Sequence, residues 1–199
     1  KNNELDGSIV SIAVKRIDKD KKITGSGINI YMTPASNVKI LTVLGSIYYG
    51  DSIPIINYIA YRDTLKISPT GYPLLSHPKY RDKDLEKFLK KFKYIEYHIP
   101  KIDLDKYGPG WAWDDYNNYY QAERSEMPIY GNVIQAVKKS NGDIEITPDK
   151  YKIVFDFEQK KHINRSEIEN NFSLNPSLFQ SGDTIYSPFI TSRKKTISL

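Results

Sequence analysis

Two hydrophobic periods organise the first quarter of the chain. Residues 8–14 (SIVSIAV) form a short, nearly continuous apolar run with β-branched side chains, which predicts a buried strand. A turn at Asp18-Lys19-Asp20 follows, and Ile28, Ile30 and Met32 then alternate with Asn29 and Tyr31, so a second hairpin arm is expected there. From Thr33 the period changes. Thr33 is a good helix N-cap, and Pro34 suits the first helical position, where its missing N–H costs nothing. Val38, Ile40, Leu41, Val43 and Leu44 place apolar groups on most sides, which predicts a central, buried helix closed at Gly45 or Gly50.

Beyond residue 50 the texture is different. Prolines at 54, 69, 73, 78 and 100 punctuate short strands, as in an inserted α/β subdomain. Between Lys79 and Lys93, Leu85, Phe88, Leu89 and Phe92 follow the i, i+3, i+4, i+7 spacing of an amphipathic helix. A tryptophan-rich segment, residues 107–115 (YGPGWAWDD), comes next. Strand-like pieces at 133–137, 151–157 and 184–190 then alternate with turns such as Asn141-Gly142-Asp143. No internal repeat and no low-complexity tract interrupts this order.

Composition narrows the functional classes. With 39% apolar and 27% charged residues over 199 positions, the chain is too rich in core-forming side chains for disorder. It holds no cysteine, which excludes disulfides, Cys-ligated zinc, iron–sulfur clusters and thiol nucleophiles. No apolar run approaches the roughly 20 residues that span a bilayer, so no stable membrane insertion is expected. The start at Lys1-Asn2-Asn3, without Met or a signal pattern, reads as a mature or trimmed product. The net charge of +5 is compatible with nucleic acid, anionic membranes or anionic wall polymers. Seven of the positive charges fall in residues 79–93 against three negative ones, on a helix whose opposite face is apolar; a solvated face explains them. No nucleic-acid motif accompanies them, and no nucleic-acid partner is expected.

The segment with most chemical content is Ser36-Asn37-Val38-Lys39. Residues three apart share a helix face, so the Lys39 ammonium can reach the Ser36 hydroxyl. A serine becomes a nucleophile beside a base, and lysines serve as bases where burial and positive surroundings favour the neutral amine. The helix N-terminus supplies such a field, and the Ser36 N–H is a candidate oxyanion-hole donor. The competing reading is a capped core helix whose Lys39 reaches solvent, and the residues alone leave the two level. His77, His98 and His162 are scattered without metal-binding spacing, and no G-x-S-x-G elbow supports a serine–histidine triad.

Residues 32–42 (MTPASNVKILT) resemble the active-serine signature of the S13 D-alanyl-D-alanine carboxypeptidases, which are low-molecular-mass penicillin-binding proteins. Residues 107–115, continuing to Tyr119-Tyr120, Ala122, Ser125-Glu126-Met127 and Asn132, are similar to that family's glycine–tryptophan–aspartate block. Thr64-Leu65-Lys66-Ile67 and residues 70–75 are a weaker third echo in the same order. The resemblance implies an α/β (α+β) fold: a transpeptidase/β-lactamase-like core portion with an inserted α/β subdomain. On that expectation residues 1–50 belong to the core, 51–106 to the insert, and 107–199 to the tryptophan block and a β-rich inserted segment. It further implies a periplasmic or cell-envelope enzyme acting on peptidoglycan stem peptides and inhibited by β-lactams. Ser36 would be the nucleophile and Lys39 the general base; no cofactor and no metal is implied.

Departures from the family pattern are as informative. The fold class uses S-x-x-K, then S-x-N, then K-T-G. No K-T-G occurs, since Lys195-Thr196 is followed by Ile197. Ser173-Leu174-Asn175, Tyr116-Asn117-Asn118 and Tyr130-Gly131-Asn132 fit the second motif or its Tyr variant, and three matches in so Ser-, Tyr- and Asn-rich a chain read as chance. Trp111 and Trp113 are expected to pack a subdomain, Asp114 and Asp115 to serve a turn, and Asp103 and Asp105 carry no assigned role. The chain thus resembles the family's N-terminal portion and is expected to lack half an active site. Two rivals stand beside the enzyme: a non-catalytic remnant or wall-binding module, and a structural domain with an accidental S-x-x-K.

Overall fold

The computed structural model describes residues 6–18, 23–50, 52–80, 83–98 and 102–192. The chain divides into two compact units, residues 1–52 and 53–199. In the first, β1 (Ile12–Lys15) and β2 (Ile23–Ser26) pair antiparallel, with Ile12 opposite Ser26 and Lys15 opposite Ile23. The expected hairpin forms, but its second arm lies earlier than the Ile28-Ile30-Met32 alternation. Gly27 takes φ +66 and its carbonyl accepts from Ile30 N at 3.0 Å, a tight turn that ends the ladder before those residues. Near the connection Arg16 and Asp18 form a two-bond ion pair, while Lys19 and Asp20 lie outside the described residues.

Helix α1 (Val38–Tyr49) ends at Gly50, whose N–H reaches Ser46 O at 3.1 Å. Its start corrects the expected Thr33 cap and Pro34 first position. Asn37 occupies the cap, and its side chain accepts from Ala35 N at 2.9 Å rather than from the helix. The helix itself is not buried: Ile40 is 70% exposed, Leu41 68% and Leu44 61%. Residues 8–14 are exposed as well, so neither the buried strand nor the buried helix is found. The reason is the lack of a second layer. A ribbon of two four-residue strands and a single helix cannot enclose a core between them.

The second unit holds two cores. Around the first, β3 (Ile56–Tyr61) and β4 (Thr64–Pro69) form an antiparallel hairpin, and β5 (Tyr94–Tyr97) joins β4 in parallel after helix α2 (Lys83–Leu89). Parallel pairing requires a crossover, and α2 supplies it. Its apolar stripe meets the sheet as the spacing predicts: Leu85 is buried with Leu65, Ile67, Leu75 and Met127, and Phe88, Leu89 and Phe92 pack around them. The cationic side chains of 83–93 are left to the outer face, where Lys87 pairs with Asp84.

Two three-stranded sheets build the other core. In one, β6 (Val133–Lys138) lies between β7 (Ile144–Thr147) and β11 (Thr184–Pro188), all antiparallel. The predicted turn at 141–143 connects β6 to β7, with Gly142 at φ +93 and Asp143 N donating to Asn141 Oδ1. In the other, β10 (Asn171–Leu174) runs parallel to β8 (Lys152–Phe155) and antiparallel to β9 (Ile163–Arg165). Ile134, Ala136, Ile163, Phe172, Leu174, Phe179 and Phe189 are buried together. The two cores are joined through the chain: Tyr130 N donates to Leu75 O and Gly71 N to Glu126 O, each at 2.9 Å.

Among the described residues, one hydroxyl in the second core is left over. Tyr151 stacks its ring between Phe172 and Phe189, and its buried hydroxyl finds no hydrogen-bond partner. Burial also pushes the phenol's pKa far above its usual value, with Tyr130 adding to the effect. A buried hydroxyl without a partner costs about 1–3 kcal/mol, so Tyr151→Phe is expected to raise stability by about 1 kcal/mol. Chemical denaturation of the two proteins checks this; a destabilised Phe variant would mean that the hydroxyl is paired.

Candidate active site

Ser36 and Asn37 form the turn that leads into α1. Three successive bonds of i→i+3 type wind that entry: Val38 N to Ala35 O at 3.2 Å, Lys39 N to Ser36 O at 3.1 Å and Ile40 N to Asn37 O at 3.1 Å. This winding puts residues 36 and 39 on one side. Lys39 Nζ donates to Ser36 Oγ at 3.2 Å, at the long end of the reach expected of a nucleophile and its base. Both side chains are exposed. The two groups that a serine acylation needs first are therefore in contact, on a helix whose apolar surroundings are uncovered within its own unit.

The matches to S-x-N and Y-x-N are occupied by structural work. Asn117 is a buried hub: its amide donates to Ile163 O at 3.0 Å, while its carbonyl oxygen accepts from Arg165 N at 3.2 Å and Ser187 Oγ at 2.7 Å. It thereby ties β9 to β11. Asn132 donates to Glu123 O and to Ser125 Oγ, and Asn175 donates to Phe157 O and Gln159 O while accepting from Ser177 N. Asn118 donates to Asp115 Oδ1 and to the Tyr120 hydroxyl. Each amide is spent on its own unit's fold. Lys195, Thr196 and Ile197 lie outside the described residues.

In the tryptophan block, Asp114 and Asp115 sit in a single 3₁₀ turn, Trp113–Asn117, and Asp115 accepts from Asn118 and Tyr120. That is the turn role the sequence predicts. Within the unit Trp113 is 73% exposed, and Trp111 lies so close over Gly108 that a Cβ there would meet the indole nitrogen at 2.7 Å. Asp103 and Asp105 are exposed.

The carboxylate that matters here is one the sequence did not single out. Glu123, only 5% exposed, accepts from Thr191 N at 2.7 Å, Thr191 Oγ1 at 2.6 Å and the Tyr107 hydroxyl at 3.2 Å, and pairs with Lys106 at 3.1 Å. It fastens the start of the tryptophan block to residue 191. Burial, and then the charge of Glu123, hold the Tyr107 hydroxyl above its usual pKa. The three histidines are dispersed: His77 in a turn before α2, His98 after β5, and His162 with a ring nitrogen at 2.9 Å from Leu178 O. Among the described residues, no group of three His, Asp or Glu side chains is placed to hold a metal ion, and no helix is long and apolar enough to cross a membrane.

Comparison with known proteins bears on the fold alone. No family model matches the chain, and no curated protein does. Among solved structures it is similar to penicillin binding protein 4 (dacB) from Haemophilus influenzae, with a TM-score of 0.50 and 16% identity. The match covers 84% of this chain and 44% of that one, so the chain spans less than half the length of its structural neighbour. The likeness is one of fold: mixed sheets with few helices, the α+β arrangement described above.

If Asn117 serves the fold, Asn117→Ala leaves three buried groups unpaired and is expected to destabilise the second unit by about 3 kcal/mol or more. Thermal unfolding of the whole chain, followed by near-ultraviolet circular dichroism, checks this. An unchanged transition would return Asn117 to the set of residues available for chemistry.

Proposed function

We propose that the chain is part of a serine-type D-Ala-D-Ala carboxypeptidase or endopeptidase of peptidoglycan. The observation that carries the reading is the Lys39 Nζ–Ser36 Oγ contact at 3.2 Å, at the entry of a helix. The likeness to a penicillin-binding protein structure supports it, and so does the order of the sequence blocks. In the proposed reaction Ser36 Oγ attacks the carbonyl of the penultimate D-Ala while the amine of Lys39 takes its proton. The tetrahedral centre collapses to an acyl-enzyme, and the terminal D-Ala leaves as the protonated amine. Water then attacks the ester and regenerates Ser36. No cofactor enters. The proposed setting is the periplasm or cell envelope, and β-lactams, which acylate the same serine, would be inhibitors.

Lysines act as bases where burial strips the water that stabilises their charge. The exposed apolar side chains around Lys39 provide a surface for such cover. Cover and the two further motifs would have to come from protein that packs on α1. A second reading, a non-catalytic remnant or wall-binding module, is favoured by the asparagines already spent on the fold.

Labelling with fluorescent penicillin separates the two. Groups that act as one catalytic unit are strongly non-additive, so the 199-residue chain is expected to label at background level. A longer product of the same reading frame carrying S-x-N and K-T-G should label strongly and lose the label in Lys39→Met. No label on that longer product would establish the remnant reading. Strong labelling of the 199-residue chain would show that Ser36 and Lys39 suffice.

A further inference from the structure

Strand β8 is an open edge of its sheet. The strand order is β8-β10-β9, so one side of β8 is paired with β10 and, among the described residues, no strand of its unit lies on the other. Such an edge presents a row of unpaired N–H and C=O groups, which is a template for a further strand. Charged side chains commonly blunt an edge of this kind, yet Ile153, Val154 and Phe155 carry none. Val154 is 50% exposed and Phe155 59%, so apolar side chains stand at the edge as well.

The ladder with β10 settles which backbone groups are available. Phe155 lies opposite Leu174 in parallel register, and Asp156 N donates to Leu174 O at 2.9 Å. Successive residues of a strand turn their N–H and C=O groups to opposite edges. Lys152, Val154 and Asp156 therefore direct theirs to β10, while Ile153 and Phe155 direct theirs to the open side. The available run ends at Asp156, because Phe157 O already accepts from Asn175 Nδ2 at 2.9 Å.

We propose that a second copy of this chain adds to this edge, β8 against β8, antiparallel about a two-fold axis at Val154. Antiparallel ladders alternate hydrogen-bonded and non-hydrogen-bonded pairs. About Val154, Ile153 of each copy meets Phe155 of the other, and these are the residues whose backbone groups face the edge. Val154 meets Val154 as the non-hydrogen-bonded pair between them, where side chains come closest. Ile153 packs against the second core, so the joined ribbon continues that apolar face from one copy to the next.

Charge selects the same arrangement. One step beyond the apolar pairs, Lys152 of each copy meets Asp156 of the other. Lys152 is exposed, and Asp156 uses only Oδ1 within its turn, accepting from Glu158 N at 3.0 Å. Parallel pairing in register would instead set Lys152 beside Lys152. The strand is thus complementary to itself in backbone and in charge, as a two-fold interface requires. One short strand a side falls short of the roughly 20–30 residues of a standard interface, so the dimer is weak and forms with concentration.

Sedimentation equilibrium of the 199-residue chain between about 10 μM and 1 mM is expected to show monomer and dimer. Over the same range the amides of Ile153 and Phe155 should gain protection from hydrogen exchange, while that of Val154, directed to β10, should not change. Lys152→Glu brings like charges together at both ends of the ribbon, and so does Asp156→Lys; each should weaken self-association about tenfold. Residue 152 of one copy faces residue 156 of the other, so an equimolar mixture of the two variants should regain the unmodified affinity as heterodimers. A variant that had only lost its fold would not be rescued by mixing. A chain that stays monomeric throughout overturns the proposal. So does association that leaves Ile153 and Phe155 unprotected, as through the exposed face of α1, or a mixture no stronger than the single variants. None of these readouts depends on Ser36 or Lys39, so the result stands apart from the catalytic reading.

Discussion

Ser36 and Lys39 meet because the backbone winds tightly between them. Three consecutive i→i+3 bonds draw residues 35–40 into a narrow turn, and the Asn37 side chain fixes its front edge on Ala35 N. Any looser entry would swing Ser36 away from the lysine one turn ahead. Everything proposed about reactivity depends on that small, local piece of geometry. It depends equally on something the turn cannot provide, which is removal from water.

An apolar helix surface left in solvent is costly, at roughly 25 cal/mol for each Å² that stays exposed. Within its own unit α1 leaves Val38, Ile40, Leu41, Val43, Leu44 and Ile47 uncovered, beside a hairpin whose Ile12 and Val14 are also exposed. The second unit is different in kind. It closes on itself through two apolar cores, and buried polar residues lock its pieces: Asn117 between β9 and β11, and Glu123 between Lys106, Tyr107 and Thr191. One unit is thus self-sufficient, while the other presents a chemical pair on an unfinished surface.

The sequence made the local features legible and the long-range ones not. The stripe of Leu85, Phe88, Leu89 and Phe92 announced α2, and the apolar pieces near 133, 152 and 184 announced three strands, because these patterns reflect burial on one face. The second hairpin arm was misplaced because alternation at Ile28–Met32 competes with the left-handed Gly27, and the glycine wins. The helix start was misplaced because Asn37 outbids Thr33 through a bond two residues back, to Ala35. Burial of α1 was overestimated from composition, which cannot say whether a partner layer exists. The open edge of β8 was invisible, since only the fold shows which strand lies last in its sheet.

The central claim is a covalent one: a nucleophilic Ser36. Peptide mapping by mass spectrometry after exposure of the longer product to benzylpenicillin addresses it directly. A penicilloyl ester on the peptide that contains Ser36, absent from the Ser36→Ala protein and released by hydroxylamine, is the predicted result. An adduct on another residue, or an unmodified Ser36 peptide at full antibiotic occupancy, would contradict the account.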